Sequence, residues 1–198
     1  MINIRTYAAL PFNEEEILRY AGVRDKSEDM IALMRDAIEE AKSVLTYRVC
    51  SREFDITQEG CTIDFGFAKI QSEALAKRLS GSFGAVIFAA TVGIGLDRLI
   101  ARYGAVSPSK ALMLQAIGAE RIESLCDRFC SDMQDEYRNS GKSITQRFSP
   151  GYGDLNIEAQ KEIFRVLDCS RQIGLTLNES MLMSPSKSVT AIVGIRNG

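Results

Sequence analysis

The sequence predicts an α+β protein built on a mixed, largely antiparallel twisted sheet flanked by helices, and three observations carry that prediction. Apolar stretches of helical period alternate along the chain with short β-branched runs, and two pairs of those runs are joined by turn residues and read as hairpins. One further run, Phe83 to Gly93, is apolar and β-branched, as is typical of a central strand covered on both faces. Hairpins demand antiparallel neighbours, which argues against a doubly wound parallel sheet. The chain has 198 residues, 45% of them hydrophobic and 25% charged, enough to bury one sizeable core. No internal repeat or low-complexity linker divides it. One domain over 1–198 is expected, with residues 1–45 as a helical N-terminal extension and 46–198 as the α+β core that carries the ligand site.

Each element has its own signal. Asn13 stands as a cap before the acidic first turn of a short helix that ends near Gly22, and Ser27 caps a longer one with Met30, Ile31, Met34, Ala37, Ile38 and Ala41 on one stripe. "TYRVCSREFDI" and "CTIDFGFAKI" alternate about the Gln58 to Gly60 turn and read as a hairpin. "SEALAKRLSG" is a helix closed by Gly81, and the apolar strand follows. After the break at Gly93 and Gly95, "LDRLIARYG" is a helix; Ser107-Pro108 then opens the longest one, which ends near Asn139 to Gly141. "KSITQRFS" is a strand candidate, "NIEAQKEIFRVLD" a helix, and "LTLNESMLM" with "SVTAIVGI" a closing hairpin about Ser184 to Lys187.

Composition excludes several functions. With 24 basic and 26 acidic side chains the net charge is −2, so no electrostatic case exists for nucleic acid or an anionic membrane. Met1 to Leu10 lacks the pattern of a signal peptide, and no apolar stretch reaches the roughly 18 residues of a membrane helix, so a cytoplasmic location is expected. The five cysteines form no C-x-x-C pair and are expected to be reduced thiols. Histidine is absent. Zinc hydrolysis, Ser-His-Asp chemistry and cobalt ligation by imidazole therefore fall away within this chain, and binding is left to Arg, Glu, Tyr and backbone.

Four constellations remain. The Thr91 to Gly95 turn lies between strand and helix, but it lacks the G-x-G-x-x-G spacing and a following lysine, so it reads as a plain connection. Cys126 and Cys130, one helical turn apart, read as buried small hydrophobes rather than as half a thiolate metal site. Glu120 and Glu123, on the same helix, read from pattern alone as its solvated margin. Arg147 stands before Phe148-Ser149-Pro150-Gly151-Tyr152-Gly153, where proline fixes one φ and the glycines admit positive ones. A guanidinium at the mouth of such a turn can clamp a carboxylate, with Tyr152 closing over the ligand; a surface arginine packed on tyrosine is the plainer alternative.

These residues carry a family likeness. "RFSPGY" resembles the Arg-x-x-x-Gly-Tyr signature of the C-terminal activation domain of cobalamin-dependent methionine synthase. "GAVIFAATVGIGLDRLIARY", "SKALMLQAIGAERIESLCDRF" and "IGLTLNESMLMSPSKSVTAIV" resemble that domain's strand, long helix and closing segment, in order, so the likeness spans Phe83 to Ile195. No counterpart is found for the family's longer helical start before Phe83 or for its continuation after Gly198, and Ala119 stands where the family has an acidic residue.

The resemblance implies a site for S-adenosylmethionine. Arg147 would grip the ligand's carboxylate and Glu123 its amino group; Gly151 and the neighbouring backbone of Ser149 and Pro150 would contact the adenosyl moiety, with Tyr152 at the methyl end. It implies a stand-alone module supporting reductive methylation of cob(II)alamin, with cobalamin carried by a separate methionine synthase and the electron supplied by a flavodoxin-like donor. The resemblance further implies a subunit that contributes to the reactivation of methionine synthase, a methyltransferase of methionine biosynthesis, and leaves open whether the module is itself an enzyme. Two alternatives stand beside it: a non-catalytic interaction module that grips a corrinoid or redox partner, and a reactivation partner of another corrinoid methyltransferase.

Overall fold

The structure, a computed structural model, describes residues 1–198. β1 (Asn3–Tyr7) precedes two helices whose caps are those the sequence marks. The Asn13 side chain accepts the Glu16 N–H at 3.2 Å to open α1 (Glu14–Tyr20), and Ser27 accepts the Met30 N–H at 3.4 Å to open α2 (Glu28–Lys42). β2 (Tyr47–Asp55) runs into a small meander of β3 (Thr57–Glu59), β4 (Thr62–Asp64) and β5 (Lys69–Gln71), then α3 (Glu73–Leu79). The apolar run is β6 (Gly84–Thr91), buried at every residue. α4 (Ile94–Val106) and α5 (Pro108–Arg138) follow, the latter with proline in its first turn, where the missing N–H goes unneeded. β7 (Lys142–Ile144), α6 (Ala159–Leu167), α7 (Cys169–Ile173), β8 (Thr176–Leu177), β9 (Met183–Ser184) and β10 (Ser188–Asn197) complete the chain. No helix is long and apolar enough to cross a membrane.

The main sheet has the order β1-β2-β6-β10-β7 and is antiparallel at every pairing. Period-2 alternation sorts its side chains into two layers. Val86, Phe88, Ala90, Val193 and Ile195 face α1, α2, α4 and α5, whereas Ala85, Ile87, Ala89 and Ile192 face α3, α6 and α7. Helices on both faces explain why β6 reads as an unbroken apolar run.

The α+β class and the expected helices stand, with the short α7 (Cys169–Ile173) added to them, but strand partners differ in four places. β2 does not fold back on residues 61–70: it is buried toward both layers through Val49 and Cys50, so it lies inside the sheet between β1 and β6, and the Gly60 turn closes only the short β3–β4 pair. Within the stretch read as a helical N-terminal extension, Asn3–Tyr7 is an edge strand; its exposed residues leave no apolar signature, and the ladder to β2 holds it. The closing hairpin is likewise replaced. β10 is apolar on both sides and pairs with β6, while Thr176–Leu177 and Met183–Ser184 pair with each other. Finally, only Lys142–Ile144 of the expected strand joins the ladder. Thr145 takes the Gly194 carbonyl with its N–H and the Gly194 N–H with its hydroxyl, both at 2.9 Å, and Gln146 and Arg147 leave the ladder before Phe148 rejoins β10 at Ile192.

Candidate functional site

That interruption is what places Arg147. Phe148 exchanges two 2.9 Å hydrogen bonds with Ile192, so the preceding arginine is carried off the sheet edge toward α5. There its Nη1 donates to Asp127 at 2.5 Å and its Nη2 donates to Glu123. Burial alone would pull the Arg147 guanidinium down, but the hydrogen bond to Asp127 and the surrounding negative charge outweigh it and hold the group above the ordinary arginine range.

The Pro150 turn follows directly. Tyr152 N–H bonds Ser149 C=O at 3.2 Å and Gly151 N–H bonds Leu155 C=O at 2.8 Å. Gly151 has φ 91° and Gly153 φ 57°, and a Cβ on Gly153 would stand 3.0 Å from the Ala74 Cβ, so both the conformation and the close approach to α3 require glycine. Asp154 then caps α3, accepting from Ser72 Oγ at 2.5 Å, Glu73 N–H at 2.6 Å and Ala74 N–H at 3.1 Å. Those donors hold its carboxyl below the usual range.

Between this turn, α5, α6 and the outer edge of β10 lies a cavity of about 450 Å³, within the size range of small-molecule sites. Five of the six residues expected at the site line it: Glu123, Arg147, Ser149, Pro150 and Tyr152. Gly151 belongs to the same turn without lining the cavity. Tyr152 is 69% exposed and stands at the rim rather than folded over the opening. Ser188 and Thr190 add the sheet edge, and since Ile192 turns its N–H and C=O outward, the alternation of an antiparallel ladder turns those of Thr190 the same way, with no strand to receive them.

Sequence reasoning missed four residues here. Arg78 lines the cavity and bonds Gln146 at 2.9 Å; Asp127 holds Arg147; Gln160 and Thr190 are 5% and 2% exposed and also line it. Gln160 left a legible signal. It sits on the α6 stripe with Ile163 and Leu167, at i, i+3 and i+7, where an apolar residue belongs. Glu120 is also not the solvated margin the pattern indicated: it is 3% exposed and accepts from the fully buried Arg121, away from the cavity. The Cys126 and Cys130 thiols are both pushed up by burial, which favours the protonated form over a metal-binding thiolate.

Arg147 and Arg78 against Glu123 and Asp127 make the charged wall formally neutral, as suits a zwitterionic head group. Such a wall is suited to holding and orienting a group that carries both charges.

A sequence model of the family described as vitamin B12 dependent methionine synthase, activation domain, matches residues 20–197. The match starts well before Phe83, so the first half of the chain has the family counterpart that the quoted motifs alone did not reveal. Among solved structures the chain is similar to the MetH reactivation domain crystallised with AdoHcy, at 16% identity and a TM-score of 0.67, covering 98% of this chain and 78% of that one. At that identity the likeness establishes the fold. With the family's sequence pattern running through nearly all of it and the fold shared with a reactivation domain, the chain belongs to the activation-domain family of vitamin B12 dependent methionine synthase.

Proposed function

We propose that this protein binds S-adenosylmethionine and presents it to a corrinoid held outside these 198 residues, most simply that of a separate cobalamin-dependent methionine synthase, to support its reductive methylation with an electron from a flavodoxin-like donor. The observation that carries the reading is Arg147 beside Glu123 at the wall of a cavity built on the Arg-x-x-x-Gly-Tyr turn. The ligand's carboxylate is matched by the Arg147 fork and its ammonium by Glu123. Ser149 and Pro150, which line the cavity, lie beside the adenosyl moiety, Gly151 shapes the turn that carries them, and Tyr152 at the open rim leaves the sulfonium methyl facing outward, where an acceptor can reach it. The corrinoid supplies the cobalt chemistry; with no histidine and no group of three His, Cys, Asp or Glu side chains placed to hold a metal, this chain contributes binding and orientation.

One observation favours the rival, an interaction module that kept the fold without the ligand. Arg147 is already satisfied by two carboxylates. Calorimetric titration separates the two. Arg147→Ala should weaken S-adenosylmethionine binding by about 1.5–3 kcal/mol, the worth of a charged hydrogen-bonded contact, with S-adenosylhomocysteine following the same pattern. An unchanged dissociation constant sinks the role of Arg147; no saturable binding by the wild type favours the interaction module.

A further inference from the structure

Five buried side-chain atoms in the protein lack a hydrogen-bond partner, and two of them, Gln160 Oε1 and Thr190 Oγ1, belong to residues that line this one cavity. They come from different elements, the start of α6 and the outer edge of β10, and Thr190 lies on the same side of β10 as Ile192, whose side chain packs in the layer of α6. A carboxamide and a hydroxyl at 5% and 2% exposure are seldom left unpaired without a reason, because each keeps its desolvation penalty until a donor arrives. Their neighbour Ser188 is different. Its hydroxyl is engaged with Thr91 Oγ1 and the Pro185 carbonyl, both at 2.8 Å, and is closed to a ligand.

We propose that Gln160 and Thr190 form a polar floor that accepts hydrogen bonds from the nucleoside end of the ligand and sets its specificity there. The inference rests on the reading of the cavity as an S-adenosylmethionine site. The charged residues account for the amino-acid end: Arg147 and Glu123 face a carboxylate and an ammonium. Beyond the sulfonium, the nucleoside that remains is uncharged, and it offers two sources of paired donors, the adenine 6-amino group and the ribose hydroxyls. A carboxamide beside a hydroxyl accepts from either, and a carboxamide reads adenine's adjacent donor and acceptor particularly well.

The test titrates S-adenosylhomocysteine, its inosine analogue with a 6-oxo group, and its 2′,3′-dideoxy analogue into the wild type, Gln160→Leu, Thr190→Val and Arg147→Ala. Either floor variant should weaken S-adenosylhomocysteine about tenfold while its melting temperature holds or rises, since an unpartnered buried polar group has been removed. Loss of discrimination against the inosine analogue identifies the amino group as the donor; loss against the dideoxy analogue identifies the ribose. Gln160→Met serves if Gln160→Leu does not fold. Floor variants that bind like the wild type, or that weaken all three ligands equally, overturn the inference while the effect of Arg147→Ala leaves the site reading intact. A wild type that binds none of the ligands at about 1 mM removes both.

Discussion

In the proposed site Arg147 is already engaged by two carboxylates. Its side chain is 25% exposed, that of Asp127 71%, and the two are joined by a hydrogen bond at the solvent side of the cavity. In the proposed binding mode an incoming carboxylate would displace one of the two acidic partners, and Asp127 is the cheaper to move because exposed ion pairs are worth only about 0–1 kcal/mol. Asp127→Asn should therefore tighten S-adenosylmethionine binding by about 2–5-fold, an effect that shrinks at high salt as the competing charge is screened. Calorimetry on the variant at two ionic strengths checks this. Weaker binding by Asp127→Asn would mean that the carboxylate attracts the ligand's ammonium instead of competing for its carboxylate.

Among the elements, the turn and α3 act as one piece. Asp154 receives three donors from the start of α3, and Gly153 fits against Ala74, so the wall of the cavity is fixed to a helix rather than left as a free loop. Asp154→Ala removes that cap and should lower the melting temperature by about 2–4 °C near neutral pH. Because the folded carboxyl lies below its ordinary value, its contribution is present above about pH 4 and is lost as pH falls through the lowered value. Melts of wild type and variant should thus converge once the pH lies below that lowered value, and a constant gap would exclude the cap as the cause. How much of this was legible follows from the range of the signals. Asn13, Ser27 and Pro108 mark helix starts because capping acts within a turn of chain, and Pro150 with Gly151 and Gly153 marks the turn at the cavity for the same reason. Strand partners were not legible, since alternation in β2 shows that it has two faces without naming β1 and β6 as its neighbours. Asp127 and Thr190 were hidden likewise: their roles arise from contacts with segments distant in sequence.

For the whole molecule the question is whether the first 45 residues are an extension or part of the fold. Ile17 and Met34 are fully buried, and Leu18 and Ile38 nearly so, in the same layer as Val86, Phe88 and Val193 of the sheet. Arg121, wholly buried on α5, donates to the carbonyls of Leu10 and Pro11 at 2.7 Å and lies 4.1 Å from the Phe12 ring centroid, while Glu120 accepts the Asn13 N–H at 3.4 Å. Removing residues 1–43 would uncover one side of that layer, open the edge of β2 and strip two acceptors from a buried cation. Burial of four large side chains at about 1.5–3 kcal/mol each comes to roughly 6–12 kcal/mol, as much as the whole stability of a typical domain. Fragment 44–198 should accordingly show no cooperative melt by circular dichroism and should elute as expanded or aggregated material on size exclusion. A smaller lesion at the same place, Arg121→Met, should fold but lose about 3–5 kcal/mol, because it leaves Glu120 buried without its partner. A fragment that melts cooperatively would instead show that the sheet and α5 suffice, and that the N-terminal helices cover a core which can close without them.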